Sequence, residues 1–363
     1  MNILYLISFA GKAGTEKYVW ELMELFSRRG DTCHLVYCQG GELSEKAASA
    51  GYPVIQMDLR PRHILSAARR LAKYCQKHRI QVIHAQYPRE NVIAVLSRRF
   101  RPETKVVFTS HLTIRQGRIW NYVNRRITPH DECVVSVCTR GAEILRENGV
   151  DPRRIRVIFN GIVPGPLPPR QNVIREEYGL GAETFVFITL ARYAPEKGLD
   201  MLLSALAALR EKTDLPFVCL IAGDGEEFDR VASEIRRLGL EEQVIQAGYR
   251  TDTKALLCSA DAYVSTSLYN EAMSFAILEA MACGLPLAVT DVGAGRDLAA
   301  GCGFVAPPGD AEAMAESLCT LRADSALCRE LGRAAWERSG SVFDLEKSAE
   351  ELHRIYENGR EAM

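Results

Sequence analysis

The sequence predicts an α/β protein built from two doubly wound parallel sheets, and three observations predict it. Short apolar runs alternate with helical patterns through the first 160 residues, and the same alternation restarts at residue 185. Between the two series, NGIVPGPLPPRQN concentrates proline and glycine where no packed element can continue. The 363 residues suffice for two domains of roughly 150 to 200 residues, each burying its own core. The expected domains are residues 1–160 and 171–343, with a hinge near residues 160–172.

In the first half NILYLIS reads as the opening buried strand and TEKYVWELMELFSRR as the helix after it. CHLVYC, PVIQM, QVIHA, KVVFTS and ECVVSV are the next apolar runs. SEKAASAG, HILSAARRLAKYCQKH, NVIAVLSRRF and TRGAEILRENG are the helical patterns set among them. In the second half FVFITLA, FVCLIAG, QVIQAGY, DAYVSTS, LPLAVT and GFVAPP are the strands. After the first of these, Leu199, Leu202, Leu203 and Leu206 recur at three- and four-residue spacing and so read as one face of a helix.

Composition is that of a soluble globular protein, with 25% charged residues. No run of eighteen apolar residues occurs, and MNILYLISFAG lacks the charged leader and small-residue cleavage site of a signal peptide. A cytoplasmic protein is expected. The eleven cysteines include no C-x-x-C pair and read as reduced core thiols, with no zinc site indicated. The net charge of −1 conceals an asymmetry: residues 1–165 hold 26 basic against 14 acidic residues, the remainder 19 against 32. Between Arg60 and Arg126 there are 16 basic residues and only Glu90 and Glu103 as acids. Such a face suits an anionic lipid surface, a polyanionic acceptor or nucleic acid.

Two stretches carry chemistry. SLYNEAMSFAILEAMACGLPLAVT, residues 267–290, places Glu271 in a loop after a strand and Glu279 eight positions on, at the expected start of the helix EAMACG. Taken singly, either glutamate is more simply a solvated loop residue or a helix-start charge. FVFITLARYAPEKGLDMLLSAL, residues 185–206, sets Arg192, Glu196 and Lys197 in a polar turn between strand and helix. A planar guanidinium and a flexible ammonium beside a helix start make an anion site.

In this order and spacing, the two stretches resemble the retaining GT-B glycosyltransferases of family 4, the glycosyltransferase group 1 type. The resemblance extends to GKAGTEKYVWELMELFSRRG, VIFNGI, IAGDGEE, TDVGAGRDL and GFVAPPGD. It departs from the family pattern at Ala13, Val163, Ala272 and Ser274, and is loosest in the first half. It implies two facing Rossmann-like domains with an interdomain cleft: an acceptor-binding domain first, a nucleotide-sugar domain second, and a last helix near residues 344–358 returning to the first. It also implies roles. Glu279 takes the donor ribose hydroxyls, Glu271 the donor sugar, Arg192 and Lys197 the diphosphate. Ala272, Met273 and Ser274 line the sugar pocket, narrowed where the family has glycines. Gly14 brings backbone N–H groups to the phosphates, and His111 lies near donor sugar and acceptor. Gly248, Tyr249 and Arg250 follow a strand and could frame the base.

Without an Asp-x-Asp, the two cations are expected to replace a metal, so no metal and no cofactor beyond the nucleoside diphosphate sugar co-substrate are expected. With no base placed for inversion, front-face substitution with retention is expected. A UDP-sugar is the favoured donor and a glycan or lipid-linked molecule the acceptor. A sugar-nucleotide epimerase and a nucleic-acid-binding protein are the alternatives; against the second, the basic run carries no recognised nucleic-acid motif. The segment from Arg115 to Arg126 interleaves Ile119, Trp120, Tyr122 and Val123 with Arg115, Arg118, Arg125 and Arg126, the pattern of an interfacial helix on an anionic membrane.

Overall fold

The structure is a computed structural model and describes residues 1–362. It divides into two compact units: unit 1 holds Met1–Asn160 and the chain from Leu345 onward, unit 2 holds Gly161–Asp344.

Unit 1 alternates strands and helices as β1 (Asn2–Phe9), α1 (Gly14–Arg28), β2 (Thr32–Gln39), α2 (Glu42–Ser49), β3 (Val54–Gln56), α3 (Ile64–Lys77), β4 (Val82–Ala85), α4 (Pro88–Ser97), β5 (Lys105–Ser110), α5 (Arg118–Ile127), β6 (Cys133–Ser136), α6 (Thr139–Glu147) and β7 (Ile155–Val157). The strands form a parallel sheet in the order β3-β2-β1-β4-β5-β6-β7. β1 is central because Ile3 through Ile7 are wholly buried, as a strand covered on both faces requires. β7 falls outside the apolar runs that read as strands in the sequence. Three residues, half-buried or exposed, make a short sheet edge that apolar patterning does not announce.

Unit 2 follows with α7 (Val173–Tyr178), β8 (Phe185–Leu190), α8 (Leu199–Lys212), β9 (Phe217–Ala222), α9 (Phe228–Arg237), β10 (Val244–Gly248), α10 (Thr253–Ser259), β11 (Ala262–Ser265), α11 (Phe275–Ala282), β12 (Leu287–Thr290), α12 (Gly295–Ala299), β13 (Gly303–Ala306), α13 (Ala311–Ala323) and α14 (Ser325–Ser341). Its parallel sheet runs β10-β9-β8-β11-β12-β13. The leucines of α8 pack with Met314, Leu318 and Leu321 of α13 and with Phe187 and Cys219 of the sheet in one core.

The last helix, α15 (Leu345–Asn358), belongs to unit 1 and buries Leu345, Ala349, Leu352, Ile355 and Tyr356 there. The Tyr356 hydroxyl meets His84 Nδ1 at 2.6 Å, and Lys105 Nζ donates to the Tyr356 carbonyl at 3.1 Å.

In each sheet the strand order reverses once, between β1 and β4 and between β8 and β11. Crevices at the carboxyl ends of strands at such reversals are where open α/β sheets take ligands.

Candidate functional site

The unit 2 reversal sets the loop after β8 beside the loop after β11, and these are the two stretches that carry chemistry in the sequence. Lys197 ends a single turn of 3-10 helix, Pro195–Lys197, and its ammonium pairs with Glu271 Oε2. Ser267 Oγ donates to the same carboxylate oxygen at 3.2 Å. Main-chain bonds tie the loops: Leu268 N donates to Glu196 O at 2.8 Å and Thr266 Oγ1 to Lys197 O at 3.1 Å. Arg192 pairs with Glu196 one turn away and is 68% exposed, so its guanidinium lies open to a ligand from solvent.

Two glycines permit this closeness. At Gly198 a Cβ would stand 2.3 Å from Thr266 O, and at Gly293 another would stand 2.2 Å from Glu271 O. Both also hold positive φ, +62° and +57°, which other residues adopt only under strain. Ala294 N donates to Ala272 O at 2.8 Å, so the glutamate loop is clamped from both sides. Ala272 and Met273 are buried, and Ser274 is the extended residue before α11.

α11 begins at Phe275, four residues before the expected start, so Glu279 lies mid-helix instead of in the first turn. The apolar run Phe275–Leu278 is itself helical because Ile277 and Leu278 pack into the unit 2 interior. Glu279 lines a cavity of about 320 Å³ together with Thr253 and Lys254 of α10 and the proline-rich segment from Ile162 to Pro168. Beneath, Tyr263 is buried and bonded to the Leu190 backbone; burial raises its pKa, and the Glu271 carboxylate raises it further. The sequence reading missed Ser267, Thr253 and Lys254. Thr253 and Lys254 follow β10 as the glutamate loop follows β11, a positional signal that composition does not carry.

Arg250 holds Glu177 with 2.6 and 2.9 Å bonds and Asp252 with two at 2.8 Å. Its guanidinium thus braces the turn after β10, in which Gly248 takes φ +65° and Tyr249 stands 63% exposed.

In unit 1, Gly14 is the first residue of α1, preceded by extended Ala13. Glu16, in that first turn, is buried; burial raises its carboxyl pKa while backbone N–H groups of Glu16, Gly11 and Ala13 oppose the rise. His111 follows β5, half-buried, its Nε2 2.9 Å from Gln86 Oε1 and its ring against Tyr18 at 5.0 Å between centroids. Burial lowers its pKa to about 3, so it is a neutral imidazole at physiological pH. His84 is wholly buried between Thr109 Oγ1 and the Tyr356 hydroxyl, at 2.6 Å each, and acts as a structural bridge to α15.

The basic segment differs from expectation at its start. α5 begins at Arg118, and Arg115 lies before it, paired with Glu147 at 2.7 Å. Asn124 is the buried residue of α5, bonded to Gln116 and to the Asn148 carbonyl at 2.8 Å each. Ile119 and Tyr122 are 81% and 60% exposed, Trp120 and Arg125 are exposed, and Arg126 stacks over Tyr122. Among the described residues no helix is long and apolar enough to cross a membrane, and no His, Cys, Asp and Glu cluster could hold a metal ion.

Two family models match the chain: Glycosyltransferase Family 4 over residues 13–165 and Glycosyl transferases group 1 over residues 170–338. The chain is similar to N-acetyl-alpha-D-glucosaminyl L-malate synthase of Bacillus anthracis, 25% identical over 309 residues, covering 82% of this chain and 79% of the relative. It is also similar to the UDP-Gal:alpha-D-GlcNAc-diphosphoundecaprenol alpha-1,3-galactosyltransferase of Escherichia coli, 27% identical over 240 residues, covering 61% and 60%. Among solved structures, an Anabaena protein in complex with UDP superposes with TM-score 0.85 at 20% identity, covering 99% of this chain and 100% of that one. The same Anabaena protein in complex with UDP-glucose superposes with TM-score 0.80.

Proposed function

Because the chain belongs to the group 1, family 4 glycosyltransferases, enzymes of GT-B architecture that act on nucleotide sugars, we propose a retaining, metal-independent transfer from a nucleoside diphosphate sugar to a glycan or lipid-linked acceptor. A UDP-sugar is the favoured donor, since the Anabaena neighbour binds UDP and UDP-glucose. The observation that carries the reading is the joined pair of loops at the β8/β11 reversal, where Lys197 meets Glu271, with Arg192 on the same loop as Lys197 and paired with Glu196, and with Glu279 eight residues after Glu271.

In the structure each cation is held by a carboxylate, Lys197 by Glu271 and Arg192 by Glu196. An entering diphosphate competes for both cations, and Glu271 is then released to accept hydrogen bonds from sugar hydroxyls. Glu279, in its cavity with Thr253 and Lys254, takes the ribose hydroxyls. As the bond from sugar to phosphate breaks, Arg192 and Lys197 meet growing negative charge, the service a divalent ion performs elsewhere. The departing phosphate oxygen takes the proton of the acceptor hydroxyl, so attack comes from the side the diphosphate leaves and configuration is kept. Both named relatives carry an α linkage in their names.

Unit 1 takes the acceptor, with neutral His111 as a hydrogen-bonding group near it. The exposed basic and aromatic face of α5 attaches the enzyme peripherally to an anionic membrane, on the cytoplasmic side, for cell-envelope polysaccharide or glycolipid synthesis. A thermal-shift panel of UDP-, GDP- and ADP-sugars tests the donor assignment: stabilisation by a UDP-sugar is expected, and no response to any member overturns it.

A further inference from the structure

We propose that Gln86 is a positioning residue for the transfer: it holds His111 as the Nε2–H tautomer, so that His111 Nδ1 accepts a hydrogen bond from a hydroxyl of the acceptor and cannot donate one. The inference rests on the placing of the acceptor in unit 1, near His111, made above.

Gln86 follows β4 and His111 follows β5, and these strands are neighbours in the sheet. Both residues therefore stand at its carboxyl end, beside the β1/β4 reversal. The Gln86 main chain is fixed there, its N–H donating to Leu6 O at 3.1 Å in continuation of the pairing of β4 with β1. Its side chain is wholly buried and joins two partners. Gln86 Nε2 donates to His84 O at 3.2 Å, and Gln86 Oε1 lies 2.9 Å from His111 Nε2.

The His84 carbonyl decides which way round the amide sits. A carbonyl oxygen only accepts, so Gln86 must turn its NH2 toward His84 and its own oxygen toward His111. That oxygen also only accepts, so the ring nitrogen facing it must carry a proton. A neutral imidazole has one protonated nitrogen, and burial, which lowers the His111 pKa to about 3, keeps the ring neutral. The proton is thus on Nε2 and the lone pair on Nδ1. A ring turned over would set carbon against Gln86 Oε1 and leave a wholly buried acceptor unpaired.

The tautomer has consequences for recognition. His111 is half-buried, and its Nε2 edge is taken by the buried amide, so the Nδ1 edge is the one left to a ligand. A lone pair there pairs with an O–H group, whereas a carboxylate or phosphate oxygen would set lone pair against lone pair. The chemical class that fits is the hydroxyl of a saccharide or polyol. So weak a base does not take the hydroxyl proton, which leaves that step to the departing phosphate oxygen. The titratable neighbours do not alter this: burial raises the pKa of Tyr18, whose ring stands 5.0 Å away, and lowers that of His84 to about 3.

The test is long-range proton–nitrogen correlation NMR on the full chain with isotope-labelled histidine at pH 8, the His111 signals being identified by their loss in His111→Asn. The wild-type ring should show a protonated Nε2 and a proton-free Nδ1. In Gln86→Leu, which removes the acceptor at similar volume, the two nitrogen signals should move toward each other as the second tautomer is populated. Gln86→Glu keeps an oxygen facing Nε2 and should restore the wild-type pattern. Titration with methyl α-D-glucopyranoside, methyl α-D-galactopyranoside and methyl N-acetyl-α-D-glucosaminide, with UDP present, should move the Nδ1 signal toward the protonated range for at least one glycoside. Inorganic phosphate should not move it. The Kd of that glycoside should rise about tenfold in Gln86→Leu and return to within about twofold of wild type in Gln86→Glu. A wild-type ring protonated on Nδ1, nitrogen signals in Gln86→Leu equal to those of the wild type, or an Nδ1 signal that no glycoside moves, overturns the proposal. The tautomer is read with no donor bound, so it judges Gln86 separately; a wild-type protein whose melting temperature no nucleotide sugar shifts would instead overturn the donor reading.

Discussion

Lys197 and Glu271 are 74 positions apart, and their contact depends on β8 and β11 being neighbours in the sheet. Each of the two cations is expected to act on charge that grows in the transition state, whereas Glu279 is expected to hold a ribose that does not change. Arg192→Ala and Lys197→Ala should therefore lower kcat, and Glu279→Ala should raise donor KM with kcat largely kept. A lost charge-assisted contact costs about 1.5 to 3 kcal/mol, or roughly one to two orders of magnitude in rate. Steady-state kinetics of the three variants check this, and wild-type kcat in the double cation variant would contradict it. Activity should also survive dialysis against EDTA, since the proposed clamp is two side chains; loss of turnover restored by a divalent ion would show otherwise. At this scale the sequence displays Arg192, Lys197, Glu271 and Glu279 through their spacing after strands. It does not display Ser267 on Glu271 or Gly293 under the glutamate loop, because those contacts follow from which strands lie side by side.

Among the elements, the buried strands are the most legible, because continuous apolar runs such as Ile3–Ile7 have no alternative but a covered sheet. Boundaries are less so: α11 starts at Phe275 and α5 at Arg118, where local patterning places them later and earlier. β7 escapes notice because its three residues owe their place to pairing with β6. Two elements yield predictions. α5 keeps Ile119, Trp120 and Tyr122 exposed among arginines, each cation contributing about 1 kcal/mol near an anionic surface. Co-sedimentation with phosphatidylglycerol vesicles should exceed that with phosphatidylcholine, fall with salt, and fall again in an Ile119→Ser, Trp120→Ser variant. Equal binding to both lipids, or none, would refute membrane attachment. α15 buries five apolar side chains in unit 1, each contributing about 1.5 to 3 kcal/mol except the smaller alanine. A chain ending at Asp344 should lose the protection of unit 1 amides in hydrogen exchange while unit 2 keeps its own; unchanged protection in unit 1 would contradict this role.

For the molecule as a whole, stability should depend on pH through unit 1. His84 is wholly buried, and burial lowers its pKa to about 3, against 6.5 in the unfolded chain. Between these values the unfolded chain binds a proton that the folded chain refuses. The stabilisation is thus fully present above pH 6.5 and declines as pH falls toward 3, by about 1.4 kcal/mol per pH unit. Denaturant unfolding of the wild type and of His84→Gln between pH 7 and pH 4 should show a shallower decline in the variant, and parallel curves would exclude His84 as the source. The two-domain α/β plan is legible at this scale from the alternation of elements and the proline-rich break. The place of the last helix in unit 1 comes from contacts such as Tyr356 with His84, 272 positions apart, which no local pattern reveals. The central claim is retention, with the leaving phosphate oxygen as base. The most direct measurement is time-resolved proton NMR of the anomeric signal as the enzyme turns over UDP-α-D-glucose with water or a glycoside as acceptor. The account predicts that the first product signal is the α anomer, appearing before mutarotation; a β anomer formed first would contradict it.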